Sequence, residues 1–109
     1  MTKIIWTNGC FDILHPGHLL LFKYARSLGE KVIVGIDSDA RVKHLKGNTR
    51  PVLPEGDRKF MLESLVYVDD VFIFNSEREL ELLIKKVQPS AMIVGEEYRN
   101  KRVIGHTPD

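Results

Sequence analysis

The run Lys31–Ile36 (KVIVGI) constrains the fold of this chain more than any other stretch. After the lysine it is apolar without alternation, a pattern typical of a strand that is covered on both faces of its sheet. The run Lys3–Thr7 (KIIWT) is also apolar and β-branched, and Asn8-Gly9 follows it. This pattern predicts a second buried strand, stopped by a turn at the Asn-Gly pair.

The segment between these two runs carries helix signals. Pro16 suits the first position of a helix, where a missing N–H has no consequence, and Gly29 suits the position after the end. Between them, apolar residues recur at spacings of three and four: Leu19, Leu20, Phe22, Ala25 and Leu28. We predict a helix from roughly His18 to Leu28. A strand, a helix and a strand in succession form a βαβ unit with parallel strands and a right-handed crossover.

The rest of the chain continues the alternation of strands and helices. We predict strands at Val71–Phe74 and Ala91–Val94, a helix over about Glu55–Val66, and a helix that begins at a Ser76/Glu79 capping box and closes before Pro89. This order predicts an α/β fold: a Rossmann-like, doubly wound parallel sheet of about four to five strands with helices on both faces. We interpret residues 1–109 as a single domain, and assign no element to the polar tail after residue 95.

The stretch Asp37–Pro54 differs in character from the elements around it. It is polar and basic, and it contains one glycine and two prolines. We predict a long, partly helical loop. Loops of this length inside a compact domain tend to be functional.

Charge and cysteine content exclude several classes of protein. The formal net charge is +1, whereas non-specific nucleic-acid binding needs a strongly basic face, so we expect a small ligand or a protein partner and no nucleic acid. Cys10 is the only cysteine, which rules out an internal disulfide or a cysteine-cluster metal site and fits a reducing compartment. No run is long or apolar enough to be a signal peptide or a membrane span, so we expect a cytoplasmic protein without a membrane partner.

The candidate site follows the first strand, at Thr7–His18 (TNGCFDILHPGH). In open parallel sheets, ligands bind beyond the carboxyl ends of the strands, where the strand order reverses. Gly9 and Gly17 would let the backbone approach a phosphate, and the start of a helix favours negative charge. Neither a Walker A sequence nor a GxGxxG sequence occurs near this strand, so the usual kinase and dinucleotide fingerprints are absent.

His15 and His18 lie three residues apart, so their rings can face the same side of a helix start. There they could donate hydrogen bonds to triphosphate oxygens that gain charge as the α-phosphorus is attacked, which would be electrostatic rather than covalent catalysis. The competing interpretation is that His15 caps the helix and His18 is a surface residue.

Two other chemistries are weaker. Zinc would need a third ligand, and His44 and His106 lie far away in the sequence without ligand spacing, so we predict no metal ligands. Cys10 lies near His15, but a small buried thiol in a tight loop is commoner than a nucleophile.

The stretch GCFDILHPGH resembles the G-[TC]-F-D-x-x-H-x-G-H signature of the nucleotidyltransferases that include the cytidylyltransferases. The stretch SDARVKHLKGNTRPVLPEGDR resembles the corresponding loop in the adenylyltransferase half of ADP-heptose synthases. YVDDV resembles the YVDEV of glycerol-3-phosphate cytidylyltransferases. The similarity covers about residues 3–105.

The resemblance implies transfer of CMP or AMP from CTP or ATP to the phosphate of a small sugar or polyol, with release of pyrophosphate and with Mg²⁺ carried by the nucleotide. His15 and His18 would contact the triphosphate, and Lys46 would neutralise phosphate charge. The implied nucleotide contacts are the backbone of Gly9, Cys10, Phe11 and Gly17, with Asp12 fixing the loop and Gly95 beside the base. The implied substrate contacts are Asp39, Arg50 and Arg58. For the two arginines, the alternative interpretation is that they belong to a solvated basic face.

The sequence also departs from the family pattern. Family members carry a Ser-Thr-Thr-type segment after the last strand, and this sequence ends at Asp109 before such a motif. Val66 stands where glycerol-3-phosphate cytidylyltransferases have arginine. The alternative hypotheses are a nucleotide-binding module that no longer catalyses and a dimerising scaffold. Because YVDDV lies where family members form a subunit interface, the resemblance also implies a homodimer.

Overall fold

The computed structural model describes the backbone of residues 2–95 and 101–104. Its helices and strands follow in chain order as β1 (Ile4–Gly9), α1 (Pro16–Leu28), β2 (Lys31–Asp37), α2 (Asp39–Lys46), α3 (Glu55–Glu63), β3 (Asp70–Phe74), α4 (Glu77–Val87), β4 (Ala91–Gly95) and β5 (Lys101–Ile104).

The strands form one sheet in the order β3-β2-β1-β4-β5. The first four are parallel, and β5 runs antiparallel to β4. The chain therefore proceeds outward from β1 to β3, then returns to the other side of β1. Because crossovers between parallel strands are right-handed, this reversal puts helices on both faces of the sheet. The predicted doubly wound, Rossmann-like fold is confirmed. The antiparallel β5 lies in the tail to which the sequence assigned no element.

Both faces of the sheet are apolar. On one face the buried cluster includes Ile5, Val34 and Ile93 together with Phe22 of α1 and Leu62 of α3. The pleat turns the next residue of each strand to the opposite face. There Trp6 is fully buried, and a Cβ added to Gly35 would lie 2.6 Å from the tryptophan ring. Glycine on β2 thus makes room for the tryptophan of β1.

The first strand is longer than predicted. Asn8 and Gly9 belong to β1 and pair with Gly35 and Ile36 of β2, so the Asn-Gly pair is not a turn. The parallel neighbour provides hydrogen-bonding partners that no local pattern reveals. The chain turns instead at Phe11, whose φ of 47° is in the left-handed region.

The helices follow the predicted pattern with shifted ends. α1 begins at Pro16, and α3 stops at Glu63, before the predicted end. At the start of α4, the Ser76 hydroxyl accepts the Glu79 N–H at 3.1 Å, but the Glu79 carboxylate accepts the N–H of Asn75, one residue before the cap. In the part of the chain that the structure describes, no helix is long and apolar enough to cross a membrane.

Candidate active site at the carboxyl end of β1

The reversal of strand order falls between β1 and β4. Among the described residues, the backbone ladder between these two strands ends at Trp6 and Met92. One step further, the buried Thr7 hydroxyl donates to the Ile93 carbonyl at 2.9 Å, so a side chain joins the strands where the ladder has stopped. The ligand crevice of a doubly wound sheet opens at this point, beside Gly9 at the end of β1.

The two predicted histidines cap the helix that starts here. His15 is the N-cap of α1, and its Nδ1 accepts the Gly17 N–H at 3.0 Å. The His18 Nδ1 accepts the His15 N–H at 3.3 Å, which completes a capping box. Their rings are stacked, with centroids 3.9 Å apart and planes inclined by 30°. The prediction that both rings face the same side is confirmed.

These hydrogen bonds determine which nitrogen of each ring carries the proton. A neutral imidazole that accepts through Nδ1 carries its hydrogen on Nε2. Within the described residues, neither Nε2 has a hydrogen-bond partner. His15 is thus a helix cap, as the competing interpretation held, and the cap leaves Nε2–H free to donate. His15 and His18 place two such donors side by side at the start of α1.

The residues around the two rings hold them in place. A Cβ at Gly17 would lie 2.8 Å from Cε1 of His15, so only glycine leaves room for the capping ring. The Phe11 ring meets His18 edge-on at 5.2 Å between centroids. Burial holds the pKa of His18 below its ordinary value, and repulsion from His15 when that ring is protonated adds a smaller effect in the same direction. His18 is therefore neutral at pH 7 and offers its Nε2–H as a donor.

Asp12 connects this loop to the basic stretch before α3. Its carboxylate accepts the Val52 N–H at 2.8 Å, the Leu53 N–H at 2.9 Å and a weaker hydrogen bond from Arg50 at 3.3 Å. Partial burial raises the pKa of Asp12, but these hydrogen bonds outweigh it and hold the pKa below its ordinary value. Asp12 is thus a charged acceptor that is already occupied by protein groups.

Arg58 differs from its predicted role. Its side chain is 0% exposed. The guanidinium donates to the carbonyls of Leu53 (2.9 Å), Cys10 (2.9 Å) and Asp37 (2.8 Å), and to the Asp39 carboxylate (2.8 Å). A group that is buried and engaged in this way cannot bind an acceptor phosphate, and it does not belong to a solvated basic face. Arg58 instead joins the ends of β1 and β2 to the basic stretch.

The sequence contained a weak signal for this position. Arg58 lies four residues before Leu62 on α3, and both are buried, so the two share the inward face of the helix. Arginine is almost never fully buried unless it is paired. The residue type therefore favoured a surface location, although the helical spacing placed Arg58 on the inward face.

The other predicted polar residues lie around the same edge of the sheet. Lys46 is the exposed last residue of α2, and Arg50 is 46% exposed beside Asp12. Asp39, at the start of α2, gives one oxygen to Arg58 and is 34% exposed. Burial raises the pKa of the Cys10 thiol, against the opposing charges of Arg58 and Lys46, which disfavours the thiolate that a nucleophile needs.

Gly95 ends β4, next to β1 in the sheet, and the residues that follow it up to 100 lie outside the described part of the chain. His106 lies outside it as well. Among the described residues, no group of three or more histidine, cysteine or carboxylate side chains could hold a metal ion.

Comparison with known proteins gives a consistent result. The cytidylyltransferase-like family model matches residues 6–105. The bifunctional protein HldE of Helicobacter pylori (strain Shi470) is 48% identical over 103 residues, which are 94% of this chain and 22% of that protein. HldE of a Nitratiruptor species gives the same figures, and that of Campylobacter concisus is 46% identical over the same shares of both chains. The chain spans about a fifth of the length of these curated relatives.

Among solved structures, a lipopolysaccharide core biosynthesis protein from Thermoplasma volcanium superposes with a TM-score of 0.75 at 25% sequence identity. The match covers 84% of this chain and 73% of that one. The family model, the sequence relatives and the structural neighbour thus point to the same fold.

Proposed function

The chain belongs to the cytidylyltransferase-like family, and we propose that it transfers AMP or CMP from ATP or CTP to the phosphate of a small sugar or polyol. Family and relatives indicate a nucleotidyltransferase. We propose ATP ahead of CTP as the donor, since the stretch Ser38–Arg58 resembles the corresponding loop in the adenylyltransferase half of ADP-heptose synthases. The observation that carries the proposal is the pair of Nε2–H donors of His15 and His18 at the start of α1.

In the proposed reaction, an oxygen of the acceptor phosphate attacks the α-phosphorus of the nucleotide. A new phosphorus–oxygen bond forms, the bond to the bridging oxygen breaks, and pyrophosphate leaves with the electrons of that bond. Negative charge grows on the oxygens around the α-phosphorus and on the leaving group. His15 and His18 donate hydrogen bonds there from a fixed geometry, and the helix start adds a favourable dipole.

The cations at the same edge of the sheet complete the proposal. Lys46 lies close enough to the β1 loop for its charge to affect the Cys10 thiol, so it can neutralise phosphate charge there. Arg50 is partly exposed and is the proposed contact for the acceptor phosphate. Asp39 keeps exposed carboxylate surface for a hydroxyl of the substrate, although one oxygen is occupied by Arg58.

The donor set of the site fits a metal ion that arrives with the nucleotide. The groups that face the proposed triphosphate are N–H donors and cations, and the Asp12 carboxylate is occupied by backbone amides. Mg²⁺ prefers oxygen ligands and commonly binds through substrate phosphates. When bound there, it would offset charge on the triphosphate.

A turnover assay tests the proposal. The protein is incubated with Mg²⁺, labelled ATP or CTP, and a panel of sugar and polyol phosphates, and pyrophosphate release is measured. We expect release with one nucleotide and at least one acceptor, and a drop of about 100-fold in kcat for His18→Ala. His44→Ala, on the exposed side of α2, is the matched control and should leave turnover unchanged.

Three outcomes would count against this function. Unchanged turnover in His18→Ala would remove the assigned mechanism. Nucleotide binding by calorimetry without release of pyrophosphate would favour the non-catalytic binding module. Absence of both binding and turnover would overturn the proposal as a whole.

We also propose that the chain forms a homodimer at Tyr67–Val71. Val66, next to this stretch, is the most exposed large apolar side chain among the described residues, at 83%. Multi-angle light scattering is the test, and a monomer would remove the dimer from the proposal.

A further inference from the structure

One peptide unit of the basic stretch is held from both sides. The Leu53 N–H donates to the Asp12 carboxylate at 2.9 Å, and the Leu53 carbonyl accepts from Nε of Arg58, also at 2.9 Å. Asp12 lies in the loop after β1, 41 residues earlier in the chain, whereas Arg58 lies on α3. The loop after β1 and the first turns of α3 therefore both form hydrogen bonds with the backbone of Leu53.

The Arg58 guanidinium extends these contacts to the strand ends. It donates to the Cys10 carbonyl, two residues before Asp12, and to the Asp37 carbonyl at the end of β2. Both carbonyls are partly buried, whereas the Arg58 side chain is fully buried, so losing this donor would leave each of them without its hydrogen bond. We name Asp12, Arg58 and the Leu53 peptide the latch.

The stretch in front of the latch depends on it for its position. Within the described residues, the Val52 N–H also donates to Asp12. The other backbone hydrogen bonds of 47–53 are local: the Gly47 N–H donates to the Lys43 carbonyl, and the Arg50 N–H donates to the Gly47 carbonyl. Local bonds shape a turn but do not fix its distance from a loop 40 residues away. That distance is set by Asp12 and Arg58.

We propose that Asp12 and Arg58 are positioning residues, which contact no substrate. They hold Lys46 at the right distance from His15 and His18 to bind the triphosphate, and they hold Arg50 where the acceptor phosphate would bind. This inference rests on the proposed function. It assigns Arg58 a role through the basic stretch in place of direct contact with the acceptor. It also predicts that Asp12 affects nucleotide affinity only as long as Lys46 is present.

Amide hydrogen exchange tests the latch without any nucleotide. Asp12→Asn removes the charge and one acceptor oxygen, so we expect the Val52 and Leu53 amides to exchange about tenfold faster. The matched control is Asp69→Asn, because the Asp69 carboxylate likewise accepts a backbone amide, that of Val32, and an arginine, Arg26. The control should leave the Val52 and Leu53 amides unchanged. Unchanged exchange in Asp12→Asn would overturn the latch.

A double-mutant cycle tests its effect on binding. Affinity for Mg–ATP and Mg–CTP is measured by calorimetry. We expect Asp12→Asn to weaken binding about tenfold in the wild-type background, and by less than about threefold when Lys46→Gln is already present. Asp69→Asn should change affinity by the same small factor in both backgrounds. Equal effects of Asp12→Asn in both backgrounds would overturn the inference and leave the proposed function intact.

Arg58→Lys gives a second route to the same answer. Lysine keeps the charge, but it is a point charge and cannot donate to all four oxygens that the arginine fork reaches. We expect Arg58→Lys, like Asp12→Asn, to weaken nucleotide binding more when Lys46 is present than in the Lys46→Gln background. Arg26→Lys is the matched control, because Arg26 pairs with Asp69, and its effect should not depend on Lys46. Absence of nucleotide binding by the wild-type protein would overturn the proposed function and the affinity effect together, while hydrogen exchange still decides whether the latch exists.

Discussion

Two parts of the candidate site are held in place by different kinds of contact. The histidine loop, His15–His18, is shaped by hydrogen bonds between residues two and three apart, from Gly17 to His15 and from His15 to His18. The basic segment, 46–53, is held by contacts across 40 and 41 residues, from its Val52 and Leu53 amides to Asp12. Changes in the first part should therefore affect chemistry with little effect on folding, whereas changes in the contacts of the second should affect both.

The largest expected effect lies in the contacts of the basic segment. Arg58→Met leaves the Asp39 carboxylate and three carbonyls without their buried donor, so we expect the free energy of unfolding to fall by about 3–5 kcal/mol. The measurement is urea denaturation followed by the fluorescence of Trp6, the single tryptophan. Arg50→Met is the control, because its side chain is 46% exposed and makes a single weak hydrogen bond, to Asp12, so the variant should change stability by less than about 0.5 kcal/mol. Equal losses of unfolding free energy in Arg58→Met and Arg50→Met would contradict the expected difference between a buried and a partly exposed arginine.

The histidine loop should show the opposite behaviour. Gly17→Ala places a Cβ 2.8 Å from the His15 ring and displaces it, so we expect turnover to fall about 100-fold. Alanine favours a helix over glycine by up to about 1 kcal/mol, and this gain offsets the loss of the His15 cap, which is of similar size, so unfolding free energy should change little. Gly56→Ala on α3 is the matched control, since a Cβ there meets open space and should leave turnover unchanged. A loss of stability that accompanies the loss of turnover in Gly17→Ala would break the proposed division.

Acid should weaken the basic segment in a narrow window. The pKa of Asp12 is lowered in the folded protein from its ordinary value of 3.8. The ionised Asp12 carboxylate stabilises the folded state fully above pH 3.8, and this stabilisation is lost as the pH falls through the lower pKa of the folded protein. We expect unfolding free energy to decline there in the wild type and less steeply in Asp12→Asn, as measured by denaturation at a series of acidic pH values. Equal slopes would show that Asp12 does not carry this dependence.

The smallest expected effect is the pH dependence of the histidine loop. Because the pKa of His18 is lowered on folding from 6.5, the unfolded chain takes up the proton first as the pH falls below that value. Stability should therefore decline as the pH falls through 6.5 toward the lower folded pKa. His18→Gln should remove this slope while keeping the capping box, in which glutamine is favoured at this position. If unfolding free energy still declined below pH 6.5 in His18→Gln, another titrating group would be responsible for the decline.

Local patterns were enough to predict most of the fold. The apolar run of β2, the helix signals from Pro16 to Gly29 and the repeated alternation of strands and helices each reflect the period of one element. The two histidines were predicted for the same reason, because their spacing and the helix start lie within a few residues. What a local pattern could not predict was a partner far away in the chain, so β1 was cut short at Asn8-Gly9 and β5 was left without an assignment.

By itself, then, the sequence determined the succession of strands and helices from β1 to β4, the doubly wound class of the sheet and the pair of histidines at the start of α1. Only the tertiary structure decided that Arg58 is a buried hub, and that Asp12 holds the backbone of the basic segment. The physical reason is that helices and turns are specified by neighbours in the chain, whereas the burial of a charge and the partners of a distant loop depend on what the folded sheet brings beside them. The cap at His15 shows the same division. Its Nδ1 accepts the nearby Gly17 N–H, whereas its Nε2 has no partner among the described residues and depends on what binds at this edge of the sheet.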